Sequence, residues 1–150
     1  MKAMAPTRPT ELQVCRVRLT ASPAAAGEAR GQVRAAIRAW DIPVEEDIAV
    51  LLTSELVTNA ISHEAGRTIM LSVTSSFGQL RVDVHDTSRT WPVLVDASAD
   101  AEAGRGLMLV ATLSATWGIY RTPAGKAVYF TLAFDPGPPV GDGRAQTWGL

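Results

Sequence analysis

Glu55-Leu56-Val57-Thr58-Asn59-Ala60-Ile61-Ser62-His63 sets a carboxylate and a carboxamide one helical turn apart in an otherwise apolar segment. Read as part of a helix over residues 44–64, steps of about 100° per residue put Glu55 and Asn59 in one angular sector with Ile48, Leu51 and Leu52. That sector is expected to face inward. A carboxylate on an inward face is costly unless something meets it. Either the face borders a pocket for a polar ligand or a metal ion, or the Glu is a buried one satisfied by backbone and water. The helix alone does not separate the two, and the surrounding chain has to.

A chain of 150 residues suits one domain with a real core. Hydrophobic residues make up 47% and the formal net charge is -1, which argues against a disordered chain and against direct binding of nucleic acid. The single cysteine, Cys15, cannot form an internal disulfide. No apolar run approaches the roughly 20 residues that span a bilayer, and Met1 to Pro9 lacks the apolar stretch of a signal peptide. A cytoplasmic protein that does not engage a membrane is expected.

Working outward toward the N-terminus, Pro43 followed by Glu45, Glu46 and Asp47 starts the central helix with negative charge at its positive end. The helix is apolar nearly all round, as suits one buried against both a sheet and another helix. Before it, Ser22-Pro23 reads as an N-cap with proline at the first helical position, opening a helix to about Trp40. Ala29, Val33, Ala36, Ile37 and Trp40 form its apolar stripe. Arg30, Arg34 and Arg38 form a basic ridge beside it, either a solvated face or a docking surface for an acidic partner. Earlier still, Cys15, Val17 and Leu19 alternate with Arg16 and Arg18, the period of a half-exposed strand over residues 11–19 in which Cys15 is a core thiol. Residues 1–10 read as a flexible leader.

Toward the C-terminus the period changes from helical to alternating. Ile69, Leu71 and Val73 form one strand face, Ser75 to Gly78 a turn, and Leu80, Val82 and Val84 the inner face of the next strand. Continuing that alternation brings Asp86 to the inner face and His85 to the outer one. Residues 91–104 show no convincing period and read as a mobile loop. It leads into Gly104-Arg105-Gly106-Leu107, after which Leu107, Val110, Ala111 and Ser114 recur at helical spacing. Glycines ahead of a helix let backbone N–H groups approach an anion such as phosphate. Thr116 to Tyr120 and Ala127 to Ala133 read as two more strands joined by a Pro123/Gly125 turn, with Val128, Phe130 and Leu132 inward. The expected architecture is an α+β two-layer sandwich with a mixed, mostly antiparallel sheet and its helices on one face. One domain would occupy residues 11–134, and the Pro/Gly-rich residues 135–150 would be a disordered tail.

Several familiar sites fail on spacing. Gly125-Lys126 has Tyr120 where a P-loop needs its leading glycine and Ala127 where it needs Ser or Thr. Gly104-Arg105-Gly106 lacks the third glycine of a dinucleotide fingerprint and follows a loop instead of a strand. Two histidines and one cysteine in separate elements give no zinc spacing. No serine stands between glycines after a strand, as a serine hydrolase requires.

What remains is an inward Glu/Asn helix, then a strand ending in an inward Asp, then a loop closing on a glycine-led helix. That ordered set resembles the GHKL (Bergerat-type) ATPases, and within them the small bacterial anti-sigma factor serine/threonine kinases and their actinobacterial stand-alone relatives. Glu55 to Ala60 resembles the family's N box, Asp86-Thr87-Ser88 its first glycine-box position and Gly104-Arg105-Gly106-Leu107 its second, over about Leu19 to Phe134. The resemblance implies a histidine-kinase-like ATPase fold with ATP and Mg²⁺ as cofactors. Asp86 would accept a hydrogen bond from the exocyclic amine of adenine. Asn59 would ligate Mg²⁺ through its amide oxygen. Glu55 would be the general base toward a serine or threonine hydroxyl or water. Ser88 belongs to the nucleotide-binding turn, Gly104, Arg105, Gly106 and Leu107 to the phosphate-binding segment, and the loop before them to an ATP lid. His63 fits the extended N box.

There are departures. Many relatives carry Thr directly after the glycine of the last strand pair, where its hydroxyl helps hold adenine, and here Lys126 stands there. Ser88 occupies a position that is glycine in many relatives, although serine is usual in this branch. The implied partners are an anti-sigma factor antagonist of the STAS type, a sigma factor, and a second copy in a homodimer. Two functions stay open: a kinase acting on the antagonist, or a non-catalytic module whose nucleotide sets its binding state. Glu55 favours the first, since a pure binder needs no base there. A sensor histidine kinase is disfavoured because no phospho-acceptor helix pair precedes the domain.

Overall fold

Alternating apolar residues build the sheet. The computed structural model describes residues 12–64, 67–89 and 101–137, leaving aside the side chains of 63, 64 and 101–105. Its elements in chain order are β1 (Gln13–Thr20), α1 (Ala25–Ala39), α2 (Glu46–Glu64), β2 (Thr68–Ser76), β3 (Gln79–Asp86), α3 (Ala101–Leu113), β4 (Thr116–Arg121) and β5 (Lys126–Ala133). The strands lie in the order β1-β2-β3-β5-β4. All four ladders are antiparallel, so the mixed component expected from the sequence is absent among the described residues. The reason is topological. The segment holding α3 carries the chain over β5's place to β4, and the hairpin back inserts β5 antiparallel to β3.

One sheet face is covered. Leu19, Ile69, Leu71, Val73, Leu80, Val82, Val84, Val128, Phe130 and Leu132 point into a core shared with Ala29, Val33 and Ile37 of α1 and Leu52, Leu56 and Val57 of α2. At roughly 25 cal/mol per Å² of apolar surface removed from water, this layer is the main stabilising term. Cys15 and Val17 are half-buried and pack against it, as the strand alternation predicts. The opposite sheet face stays open. There Arg16, Ser72, Arg81, Asp83, His85 and Tyr120 line a broad hollow of about 530 Å³.

The β2–β3 hairpin turns on Phe77 and Gly78, both at positive φ (51° and 81°), with Ser76 and Gln79 paired beside them. Two central residues of that hand match the strand twist. A Cβ on Gly78 would stand 2.8 Å from the Phe134 carbonyl oxygen, so only glycine fits.

Helix α1 departs from its expected start. Its N-cap is Ala24, with no side-chain cap, and Ser22 contributes its carbonyl oxygen to the Ala25 N–H at 2.9 Å instead of its hydroxyl. Pro23 lies in this preceding turn and not at the first helical position. The other end is closed by Asp41 at φ 51°, with Ile42 N–H donating to the Ile37 carbonyl and Asp41 N–H to that of Arg38, a left-handed C-terminal motif. The basic ridge is engaged internally: Arg30 donates to Ser54 Oγ at 2.7 Å, and Arg34 and Arg38 both bond Glu46. The Arg38 hydrogen bond, with Arg34 adding to it, holds the Glu46 carboxyl below the usual carboxylate range. These bonds tie α1 to α2 while the Arg38 side chain stays 68% exposed, so the ridge is a solvated face that also links the two helices.

Residues 1–10, expected as a leader, and 138–150 of the expected tail lie outside the described residues, as do 91–100 of the expected lid.

Candidate functional site

On α2 the solvent boundary runs closer to the site than the angular sector suggests. Leu52 is fully buried, but Leu51, expected inward, is 39% exposed. The buried set Ala49, Leu52, Leu56, Val57, Asn59 and Ala60 centres the inward face away from Leu51, with α1 and α3 both packed against α2. Glu55 therefore stands half-buried at the rim of that face. Asn59, one turn on, is buried at 7% exposure, and its Oδ1 has no hydrogen-bond partner. A buried amide oxygen left unpaired is uncommon and costs free energy. It is a hard oxygen donor of the kind Mg²⁺ takes.

Across from Glu55 runs α3, which packs on α2. A Cβ built on Gly106 would stand 2.5 Å from Glu55 Oε2, so glycine at 106 is what lets the carboxylate lie against the α3 backbone. The structure thus brings Glu55 and Gly106 together. It revises their setting: Gly104, Arg105 and Gly106 lie inside α3 and not ahead of it. Ala101, Glu102 and Ala103 are strong helix formers, and the roughly 1 kcal/mol that each glycine costs does not stop the helix from extending back over them. Leu107 is fully buried in the core with Val110, so its side chain packs behind Gly106.

The second cluster lies at the end of β3. Asp86 is on the covered face, as the alternation predicts, and 4% exposed. Its Oδ1 accepts the Ser88 N–H at 2.9 Å, the bond of an Asx turn that starts the following loop. Both of its oxygens also accept from Lys126 Nζ, at 2.9 and 2.7 Å. Lys126 is directly opposite Asp86 in the β3–β5 register and is 0% exposed. Gly125, just before it, packs so tightly that a Cβ there would overlap the Asp86 carbonyl oxygen and stand 2.6 Å from Thr87 Cα. The Thr122 to Gly125 turn, closed by hydrogen bonds in both directions between those residues, aims this backbone at the end of β3.

The expected strand began at Ala127, and Lys126 entered the sequence reading only as the residue standing where many relatives carry Thr, with no inward place read for it. The signal was available, because Lys126 continues the parity of Val128, Phe130 and Leu132 by one more step. His85 faces the open side of the sheet and stacks edge-on with Tyr120, as expected of a residue on the outer face. Among the described residues no three His, Cys, Asp or Glu side chains cluster as a metal site would require, and no helix is long and apolar enough to cross a membrane.

The α2 helix joins the two clusters, lying on β3 and β5 as well as against α3. A buried carboxylate, an unpaired amide oxygen and a second carboxylate over a glycine backbone make a polar strip on an otherwise apolar layer. Such a strip can orient a heterocycle at one end and meet a phosphorylated, metal-bound end at the other.

A search of curated proteins finds no match to the chain. The family model of the histidine kinase-like ATPase domain matches residues 19–132, the span from the end of β1 to the end of β5 and most of the chain. With that match and this five-stranded antiparallel sheet under its helices, the chain belongs to the histidine kinase-like ATPase domain family, of the GHKL type, and carries that family's ATP-binding fold.

Proposed function

We propose that the protein is an anti-sigma regulatory factor that uses ATP to phosphorylate a serine or threonine of an anti-sigma antagonist of the STAS type. The observation that carries this reading is Glu55 lying on Gly106 at the rim of the covered face, one turn from the unpaired Asn59 oxygen. A carboxylate half open to solvent can reach an incoming hydroxyl and take its proton as phosphoryl transfer begins. A deeply buried one could not. Asn59 Oδ1 is the group of this chain that would hold Mg²⁺, which when bound neutralises charge on the phosphates. Asp86 would read the base, and the α3 backbone from Gly104 to Gly106 would lie against the phosphates. Leu107 anchors that backbone to the core.

The test is transfer of radiolabelled phosphate from ATP with Mg²⁺ to candidate antagonists from the same genome, comparing wild type with Glu55→Ala. Loss of labelling by about a hundredfold or more is expected for removal of a general base. Labelling unchanged in Glu55→Ala sinks the assignment.

A further inference from the structure

The seam between α2 and α3 holds three leucines part-way out of the core on its solvent side. The two helices run antiparallel. Helix α2 delivers the chain to β2 at the end where Met70 pairs with His85, beside Asp86, whereas α3 delivers it to Thr116, whose row runs through Thr131 to Arg81 near the start of β3. Glu55 lies against Gly106, so Leu51, one turn back on α2, comes beside Leu109, one turn on along α3, with Leu113 a turn further. At about 100° per residue Leu51 lies roughly 40° to one side of Glu55, and the buried Leu52, Leu56 and Asn59 lie to the other. Leu109 and Leu113 lie about 60° and 20° from Gly106, again on the side away from the buried Leu107 and Val110. Both displacements point away from the sheet. Leu51, Leu109 and Leu113 are 39%, 38% and 37% exposed, and together they form one apolar strip that ends at Glu55. Surface leucines standing singly are ordinary, but a row of them against a half-buried carboxylate marks a contact surface.

We propose that this strip docks the phospho-acceptor segment of the substrate protein, a Ser- or Thr-bearing stretch with a large apolar side chain about 5–11 Å from its hydroxyl. The proposal rests on Glu55 acting as the base, as proposed above. Position says what covers the strip. Asn59 and Asp86 lie to one side of Glu55, toward the C-terminal end of α2, and the nucleotide would be held there. An attacking hydroxyl has to arrive roughly in line with the leaving oxygen and from its far side. The segment that carries it therefore passes over the opposite side of Glu55, where the strip begins. At 1.5 Å per residue Leu109 and Leu51 stand about 5 and 6 Å along their helices from the Glu55 and Gly106 contact, and Leu113 about 11 Å, which sets the spacing of the apolar side chain from the hydroxyl. A wholly polar segment would leave the leucines in water, whereas an apolar side chain gains by covering them.

The probe is the STAS-type antagonist from the same genome that the wild type labels most strongly, titrated in the labelling assay against the full chain and its Leu51→Gln/Leu109→Gln variant, in which glutamine keeps the helix propensity of leucine. Expected is a KM for the antagonist raised about tenfold with kcat held within about twofold, the split that a lost docking contact gives. In the Glu55→Ala background, where no transfer competes, the same two substitutions should weaken calorimetric binding of the antagonist by the same factor. An unmoved KM, with labelling still abolished by Glu55→Ala, overturns the docking site and leaves the kinase reading standing. So does a wild-type dimer that the two substitutions dissociate with KM unmoved, which would give the strip to a second copy of the chain. If the wild type labels no antagonist, the kinase reading falls and the docking site with it. Should the double variant not fold, the antagonist is altered instead: replacing by Ser its apolar side chains within about 11 Å of the labelled hydroxyl should raise KM on the wild-type chain by the same factor, and an unmoved KM overturns the proposal.

Discussion

Asp83 and Asp86 stand three residues apart on β3, face opposite sides of the sheet, and each binds a cation. On the open face, Arg81 grips Asp83 through two bonds of 2.8 and 2.9 Å, Tyr120 adds its hydroxyl at 2.8 Å, and the guanidinium lies 4.0 Å from the centre of the Tyr129 ring. The Arg81 side chain is 36% exposed, so water shares in its solvation. On the covered face, the Lys126 and Asp86 side chains are 0% and 2% exposed. The geometries are similar, yet the energetics differ in kind. An ion pair that keeps one partner in water is worth about 1 kcal/mol or less. A pair wholly withdrawn from water gains little net over an apolar replacement, but breaking it strands a charge at several kcal/mol. Asp83 and Arg81 thus finish a surface, whereas Asp86 and Lys126 constrain everything that comes near them.

The largest effect separating the two faces should come from Lys126→Met. Leaving Asp86 buried and alone is expected to lower unfolding free energy by about 3–5 kcal/mol in urea. Arg81→Ala on the other face should cost about 1 kcal/mol after solvent screening. Replacing both members, Asp86→Leu with Lys126→Met, should recover most of the loss, because no stranded charge remains. Equal costs for Lys126→Met and Arg81→Ala would dissolve the distinction between the faces.

Next in size is Gly125→Ala. The added Cβ would meet the backbone of Asp86 and Thr87, which cannot rotate aside as a side chain could. A loss of about 1–3 kcal/mol is expected from this overpacking, together with weaker ATP binding as the end of β3 is pushed out of place. Thermal unfolding and calorimetry check the two parts separately, and a variant as stable as wild type would show that the turn yields.

Much of this was legible in the sequence, and the misses share a cause. Strand parity placed Asp86 inward and His85 outward, because a period of two leaves each residue one face only. The central helix was legible from its apolar run and acidic start, and the distance of one turn between Glu55 and Asn59 survives in the structure. Lys126 was legible as a departure beside Gly125, but its burial was not, because a lysine is so seldom fully buried. Its cross-strand carboxylate, 40 residues away, was the missing information. The ridge of Arg30, Arg34 and Arg38 hid its role for the same reason: Ser54 and Glu46 belong to another helix. The start of α3 was a competition between two local signals. The glycines at 104 and 106 argued for a boundary, and the helix formers at 101–103 prevailed.

The smallest effect lies on the open face and is read through pH. Partial burial first, and then its hydrogen bond to the charged Asp83, push the Tyr120 hydroxyl above its ordinary value of 10.0. The folded protein therefore holds that proton more tightly than the unfolded chain does. Stability from this group is fully present below the unfolded value and is lost as pH rises through the raised folded one. Tyr120→Phe removes the titration and the hydrogen bond together. At about pH 8 the variant should be less stable by roughly 1 kcal/mol, the worth of one partly solvated hydrogen bond. Above about pH 10 the wild type must lose its phenol proton, so the gap should narrow steadily. Urea unfolding of both proteins across that range measures it directly. A gap that stays constant would mean that Tyr120 ionises as easily folded as unfolded, and that the Asp83 cluster is more open to water than the Asp86 pair by even more than the exposures suggest.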